Sequence, residues 1–409
     1  MAEVSGVQVS AAQSQPRRAA DWYELFFDLV FVVVVAVSAD LIEEAPSIST
    51  VLVFLLLLFP LWWAWVNLMI TNNLYGTRFP SIGVLVIAAM PGPAAMAIAV
   101  AEGVELDGWL YASGAAWIRL VLLAMWLIAY SRKAISVSLW RPLVHNLGTA
   151  ALWLGSVLIP APYQYLVWAV AVAIEIALLS QRKGFAFSVY REASISHALE
   201  RVGLFVVIVI GEAVYLAVTG LAKHPTISGG AAALFGFLIC ALLARAFFRW
   251  GVPTAEAGLS AARSANSYGA MRDVIMYLPF ILVAALTLIA ASIGIAMEQA
   301  GAPLSFDARM LLAAGIGGFY LANALVGIRL GRPIASVATL AIPGLVVPAL
   351  ACLLSGELAA WATLALASAS LVLLDIVSKS LGSRTGTSNT SSRIRAAQHP
   401  ATHEREGLD

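Results

Sequence analysis

Apolar residues in this chain run on for about twenty positions, stop at a short polar or Pro/Gly-marked stretch, and start again. Runs of that length can cross a bilayer as helices. Twelve are predicted, over about 24–42, 50–70, 82–101, 109–130, 142–160, 163–180, 199–219, 229–250, 274–297, 308–329, 334–354 and 357–377. Pro160-Ala-Pro162 reads as a tight turn between two of them, and Ser355-Gly356 as another. Lipid offers the backbone no hydrogen-bonding partner, so the runs are expected to be helical. The first run follows Arg17 and Arg18 and ends Ala36-Val-Ser-Ala39, an outline shared with cleaved leaders. Glu24 and Asp28 at its start, and the many runs behind it, favour a retained first helix.

Composition agrees. The chain has 409 residues, 61% of them hydrophobic and only 11% charged, less than half the charge of an average soluble domain. The expected fold class is therefore an all-α polytopic membrane protein of about twelve transmembrane helices, with the lipid bilayer as its main partner. A net charge of +1 gives no basic surface for nucleic acid. Cys240 and Cys352 both lie inside apolar runs and read as small buried hydrophobes, so neither a disulfide nor a zinc framework is expected.

Charge in the connections orients the spans. Arg78, Arg132, Lys133, Arg182, Lys183, Arg263, Arg272, Arg329 and Arg332 fall on one side of a twelve-span arrangement, with Glu43, Glu102, Asp107, Glu298, Asp307 and Glu357 opposite. The positive-inside rule then puts both termini in the cytoplasm, across a cytoplasmic (inner) membrane. The expected organisation is a cytoplasmic segment 1–20, two six-helix halves at 21–183 and 184–379, and a disordered Ser/Thr/Arg-rich tail at 380–409. The halves read as repeats. Glu24-Leu-Phe-Phe-Asp28-Leu-Val-Phe31 opens the first, and His197-Ala-Leu-Glu200-Arg201-Val-Gly-Leu-Phe205 opens the second. Basic pairs follow spans 4 and 10, and Glu175-Ile in span 6 matches Asp375-Ile in span 12. Six spans per half is an even number, so the repeats would share one orientation, with a pathway or pocket between them.

Ionisable groups inside spans are costly and tend to be functional. Glu24 and Asp28 are one helical turn apart on one face, suited to a cation or proton mouth or simply to the helix dipole. His197, Arg201, Ile208, Glu212 and Tyr215 fall in a stripe about 60° wide, with Glu200 beside it. Such a stripe suits a proton relay, an ion path or a polar headgroup site, or else a structural network between halves. His-x-x-Glu spacing can ligate metal, but no second His pair supports that, and no metal or other cofactor is expected. Arg119, near the middle of span 4, needs a carboxylate; Glu212 is the first candidate and Asp28 the second. Trp62, Trp63 and Trp65 read as interfacial anchors or as a stacking surface. Arg245 and Arg249 are placed to snorkel. No phosphate loop, Ser-His-Asp set or redox motif is present, so nothing demands an enzyme.

The two opening phrases, with Gly211-Glu212, Trp62-Trp63 and Tyr320-Leu321, resemble the signatures of the bacterial low temperature requirement A family over roughly residues 20–380. The resemblance implies a polytopic inner-membrane protein of poorly defined biochemical activity. Two stretches depart from it. Thr71-Asn72-Asn73-Leu74-Tyr75 stands where members carry a Tyr-x-Asn-Arg-Phe-type stretch, and Tyr277-Leu278-Pro279 where members tend to have His before Leu-Pro. The phrase Glu24-x-Phe26-x-Asp28-x-Val30-Phe31 is also similar to the first-helix motif of the endosomal and lysosomal potassium channel family, over about eight residues. The leading expectation is movement of an ion or small solute between the halves, using Glu24, Asp28, Arg119, His197, Glu200, Arg201, Glu212 and Tyr215. The alternatives are a membrane-embedded enzyme or lipid-handling protein built on His197, Glu200 and Glu212, and a non-catalytic partner or sensor.

Overall fold

The computed structural model describes residues 22–76, 78–134, 140–180 and 192–398. Expectations for residues 1–20, for Arg182 and Lys183, and for the last eleven positions of the tail lie outside the described residues. The described chain is helical, with one isolated bridge between Pro303 and Ala359. In the first half the helices are α1 (Trp22–Glu44), α2 (Ile48–Tyr75), α3 (Pro80–Ala89), α4 (Pro91–Ala101), α5 (Val104–Ser131), α6 (Thr149–Ser156) and α7 (Tyr163–Ser180). The second half contributes α8 (Ile195–Lys223), α9 (Ile227–Ala246), α10 (Val252–Ser264), α11 (Leu278–Glu298), α12 (Phe306–Arg329), α13 (Ile334–Leu354) and α14 (Ala360–Gln398). The backbone of α14 continues as helix into the stretch expected to be a disordered tail.

Local chemistry sets the ends. Ser47, Ser194, Thr226 and Ser305 sit outside the helical region and accept the backbone N–H three residues on, which satisfies an otherwise orphaned donor at the start of α2, α8, α9 and α12. Gly103 and Gly331 turn the chain at positive φ, +96° and +85°. Pro91 starts a new helix directly after Met90, so span 3 is the α3–α4 pair.

Ten helical segments among the described residues are long and apolar enough to cross a membrane. The other two expected spans are shorter. The stretch 142–160 comprises a turn at Trp140–Pro142, a π-helical turn at Leu143–Gly148, and then α6. There Asn146 Nδ2 donates to Pro142 O and Thr149 Oγ1 to His145 O, so side chains compete for the carbonyls that a regular helix would use. The expected stretch 163–180 forms α7. Two further π-helical turns, Phe247–Gly251 and Asp273–Tyr277, bend the chain beside α9 and α11.

α11 is the core of the bundle. Its run from Leu282 to Met297 is buried throughout, and it packs on α1, α2, α8, α9, α12 and α14. α13 is the opposite case, with only Gly344, Pro348 and Cys352 buried and Ile342, Val346, Leu350 and Leu353 among its exposed residues. An apolar outer face of this kind is what a helix needs when its solvent is hydrocarbon. Small residues allow the tightest approaches. A Cβ on Gly114 would come 2.5 Å from Gly92 O, and one on Gly315 would come 2.9 Å from Ala285 O. Helix α1 also packs directly on α8.

Candidate functional site

The contact between α1 and α8 brings acids from one helix onto bases from the other. Asp28 lies two turns into α1, and Arg201 the same distance into α8. Arg201 grips Asp28 with two hydrogen bonds, Nε to Oδ2 at 2.9 Å and an Nη to Oδ1 at 2.5 Å. This planar two-point contact is the geometry that guanidinium and carboxylate favour. Glu24, one turn before Asp28, lies 3.4 Å from Arg201 and 3.2 Å from His197 Nε2. The Glu24–His197 and Asp28–Arg201 contacts both join residues 173 apart. The two helices therefore meet in step over this turn.

Helix α2 closes the cluster. Trp65 Nε1 donates to Asp28 Oδ1 at 2.8 Å, and Asn72 Nδ2 donates to Glu24 Oε1. Trp65 and Asn72 are seven residues apart and so share one face of α2. Next door, Asn73 ties α2 to the cap of α8. Its Nδ2 donates to Ser194 O at 3.1 Å, and its Oδ1 accepts from Ser194 N at 2.8 Å. Glu24, Asp28, Trp65, Asn72, His197 and Arg201 are all buried, none more than 2% exposed. The first turns of α1 and α8 both bring dipole-positive ends to this region, which further suits the two carboxylates. The cluster thus sets two carboxylates against one guanidinium and one imidazole. Among the described residues, His197 Nδ1 has no hydrogen-bond partner.

Aromatic rings wall the cluster off. Trp62 and Trp65 stack at 5.0 Å, and Phe205 of α8 packs on both. Trp62 Nε1 donates to Met276 O in the π-helical turn before α11, and Trp63 stacks on Tyr277 at 5.5 Å. The expectation of interfacial tryptophans is thus corrected. All three are buried because the later part of α2, from Pro60 to Tyr75, is enclosed by its neighbours, among them α1, α5, α8 and α11, with only Asn67 half-buried there.

Arg119 does not pair with Glu212 or Asp28. Its partner is Glu175 of α7, at 2.9 Å from Nε and 3.2 Å from an Nη. Its other Nη donates to Ala115 O, and its guanidinium lies 5.2 Å from the Trp153 ring. The charged stripe on α8 also divides. His197 and Arg201 enter the cluster, Glu200 and Tyr215 are exposed, and Glu212 lies half-buried about 17 Å farther along the axis than Arg201. Arg245 reaches Asp375 of α14 at 3.4 Å. Trp65, Asn72 and Glu175 were missing from the sequence-predicted set, although the shared face of Trp65 and Asn72 was a readable signal. Among the described residues, no group of three or more His, Cys, Asp or Glu is arranged to hold a metal ion.

Two comparisons bear on this arrangement. The family model described as bacterial low temperature requirement A protein matches residues 19–378. An uncharacterized protein of Rhizobium meliloti (strain 1021) is 25% identical over 206 residues, which is 48% of this chain and 49% of that protein. The match thus spans about half the length of this curated relative.

Proposed function

This chain belongs to the bacterial low temperature requirement A family, and from that premise we propose that it moves an ion or small solute across the cytoplasmic membrane, between two parallel six-helix repeats. One observation carries the reading. The cluster of Glu24, Asp28, His197 and Arg201 is almost fully buried and joins the first helix of one half to the first helix of the other. Ionisable groups buried within membrane spans mark substrate and ion routes, and transporters built from repeats carry their sites at the repeat interface.

The repeat is supported by the packing order. Helix α1 lies on the α3–α4 pair, that pair on α5, α5 on α6 and α6 on α7; in the second half α8 lies on α11, α11 on α12, α12 on α13 and α13 on α14. The close glycine approaches fall at corresponding helix pairs, α4 with α5 and α11 with α12. Twelve crossings with both termini cytoplasmic are part of the proposal, with the short α6 and α7 completing the first half. Loop charge supports it, Arg132, Lys133, Arg329 and Arg332 lying opposite Glu102, Asp107, Asp307 and Glu357.

The test is flux in proteoliposomes under potassium, sodium and proton gradients, with wild type beside Asp28→Asn. Flux in the wild type that falls at least ten-fold in a correctly inserted variant supports the reading. Equal flux in the two removes Asp28 from the mechanism. No flux for any of the three cations, nor for a panel of small organic solutes, overturns transport.

A further inference from the structure

We propose that Glu43, at the end of α1 opposite the Glu24–Asp28 cluster, is a proton-binding site whose neutral carboxyl docks on the backbone of α11 at Gly294. The seat is built for that group. A Cβ on Gly294 would lie 2.5 Å from both Cδ and Oε2 of Glu43, so the carboxyl fills the space that any side chain there would need. Gly294 is the sole glycine of α11. A glycine inside a helix costs about 1 kcal/mol relative to alanine, and at this position it makes room for the acid.

The seat gives the acid no donor. Glu43 is half-buried, yet its Oε1 is shut off from solvent and has no hydrogen-bond partner among the described residues. The backbone N–H groups of α11 around Gly294 are used within that helix. The hydroxyl of Ser292, two residues away, donates to Leu288 O at 2.7 Å. A carboxylate laid on apolar backbone without a donor is costly, and a neutral carboxyl is far less so.

The surrounding charges act in the same sense. Asp40 on α1, Glu212 on α8 and Glu298 on α11 are near enough to repel a charge on Glu43, and Glu44 follows it in the chain. Lys223 is the base that acts on it, but Lys223 lies 3.6 Å from Glu298, which His224 Nε2 also reaches at 3.2 Å. Helices α2, α3 and α4 also pack on α1 and carry no charged side chain, and Glu102, just past α4, is another acid. Crowded carboxylates favour the neutral form of one of their number, and Glu43 is the one with a seat for it. Loss of the proton sends the carboxylate from Gly294 into water and removes a contact between α1 and α11. Glu43 lies roughly 22 Å along α1 from Asp28, and this assignment does not depend on what the protein transports.

Infrared pH titration of the full-length protein in liposomes tests it, reading the carbonyl band of protonated carboxyl groups. The wild type is expected to show such a band at neutral pH and to lose it as the pH is raised. Glu43→Gln, which keeps the shape of the neutral acid, is expected to lose the band at neutral pH while its melting temperature holds. Gly294→Ala keeps Glu43 but closes the seat, and is expected to lose the band as well. Should that variant misfold, Glu43→Asp, too short to reach the seat, takes its place. The proton's contribution to stability is present at acid pH and lost as the pH rises, so the wild-type melting temperature is expected to fall toward alkaline pH by more than that of Glu43→Gln. A wild-type spectrum without the band at neutral pH, or a band undiminished in Glu43→Gln, overturns the proton site. A band that persists in a folded Gly294→Ala or Glu43→Asp variant overturns the seat on α11. Neither readout involves flux, so the result stands apart from the transport reading.

Discussion

Two buried arginine–carboxylate pairs sit in this bundle, and they are built alike but joined to different things. Arg119 and Glu175 link α5 to α7, within the first half. Arg201 and Asp28 link α8 to α1, across the two halves. Each guanidinium makes a two-point contact, and each pair has a tryptophan beside it, Trp153 in one and Trp65 in the other. The within-half pair is one cation and one anion, closed by Ala115 O and the Trp153 ring. The between-half cluster adds a second acid, Glu24, and an imidazole, His197. A closed neutral pair can fasten helices permanently. The larger cluster, between a helix from the first half of the chain and one from the second, offers more than one way to pair its groups.

The largest expected effect removes one partner from each pair. Leaving a buried charge uncompensated costs about 3–5 kcal/mol, so Arg201→Met and Arg119→Met should both lower the thermal midpoint sharply in lipid nanodiscs. The comparison becomes sharp in the double variants, where the carboxylate of the two-point contact is also removed and Glu24 keeps Asn72 and His197. Arg119→Met/Glu175→Leu is expected to recover most of its stability and to keep wild-type function. Arg201→Met/Asp28→Leu is expected to recover stability and to stay inactive. If both doubles work, or both fail, the two regions do not differ in the way described.

Much of the fold could be read in the chain, because long apolar runs and capping residues are local signals. The acid face of α1 and the base face of α8 were legible too, since helical periodicity puts His197 with Arg201 and Glu24 with Asp28. Pairing was harder. Depth along a span says that Arg119 needs a carboxylate, but not how α5 is rotated or which helix stands beside it. Glu212 looked suitable by depth, yet Arg119 faces α7, where Glu175 waits. The tryptophans misled for a related reason. Trp62, Trp63 and Trp65 point to several sides of α2, a pattern that an anchor near a surface and a helix enclosed by neighbours both satisfy. The π-helical turns had no local signal strong enough to foresee, since they answer to tertiary contacts such as Trp62 with Met276 O.

A middle-sized effect separates the shape of the Asp28 site from its hydrogen bonds. Trp65→Phe keeps a ring in place against Trp62 and Phe205 but removes the donor to Asp28 Oδ1. A hydrogen bond to a charged group contributes about 1.5–3 kcal/mol, so the melting midpoint should fall by less than in Arg201→Met. The counterpart in the other region is Trp153→Phe. That ring meets Arg119 by its face, and its Nε1 has no hydrogen-bond partner among the described residues. It should therefore cost less than Trp65→Phe. Equal losses at the two tryptophans would mean that ring volume, not the donor, supports Asp28.

The smallest effect on stability should be the most telling about function. His197→Gln retains a group able to donate to Glu24 while abolishing the imidazole that can gain or lose a proton. The cluster loses at most one hydrogen bond, so the stability change should stay near 0.5–1.5 kcal/mol. Any pH dependence of flux that arises from this imidazole should be lost in the variant. His145, in the π-helical turn of the first half, makes the matched control. Its ring lies in the surroundings of Arg119 and Glu175, away from the contact of α1 with α8, with Nδ1 3.4 Å from Asn146 Oδ1. His145→Gln should leave the pH profile as it was. A profile that flattens in His145→Gln and survives in His197→Gln would move the proton-sensitive element out of the seam and into the first half, reversing the roles assigned to the two regions.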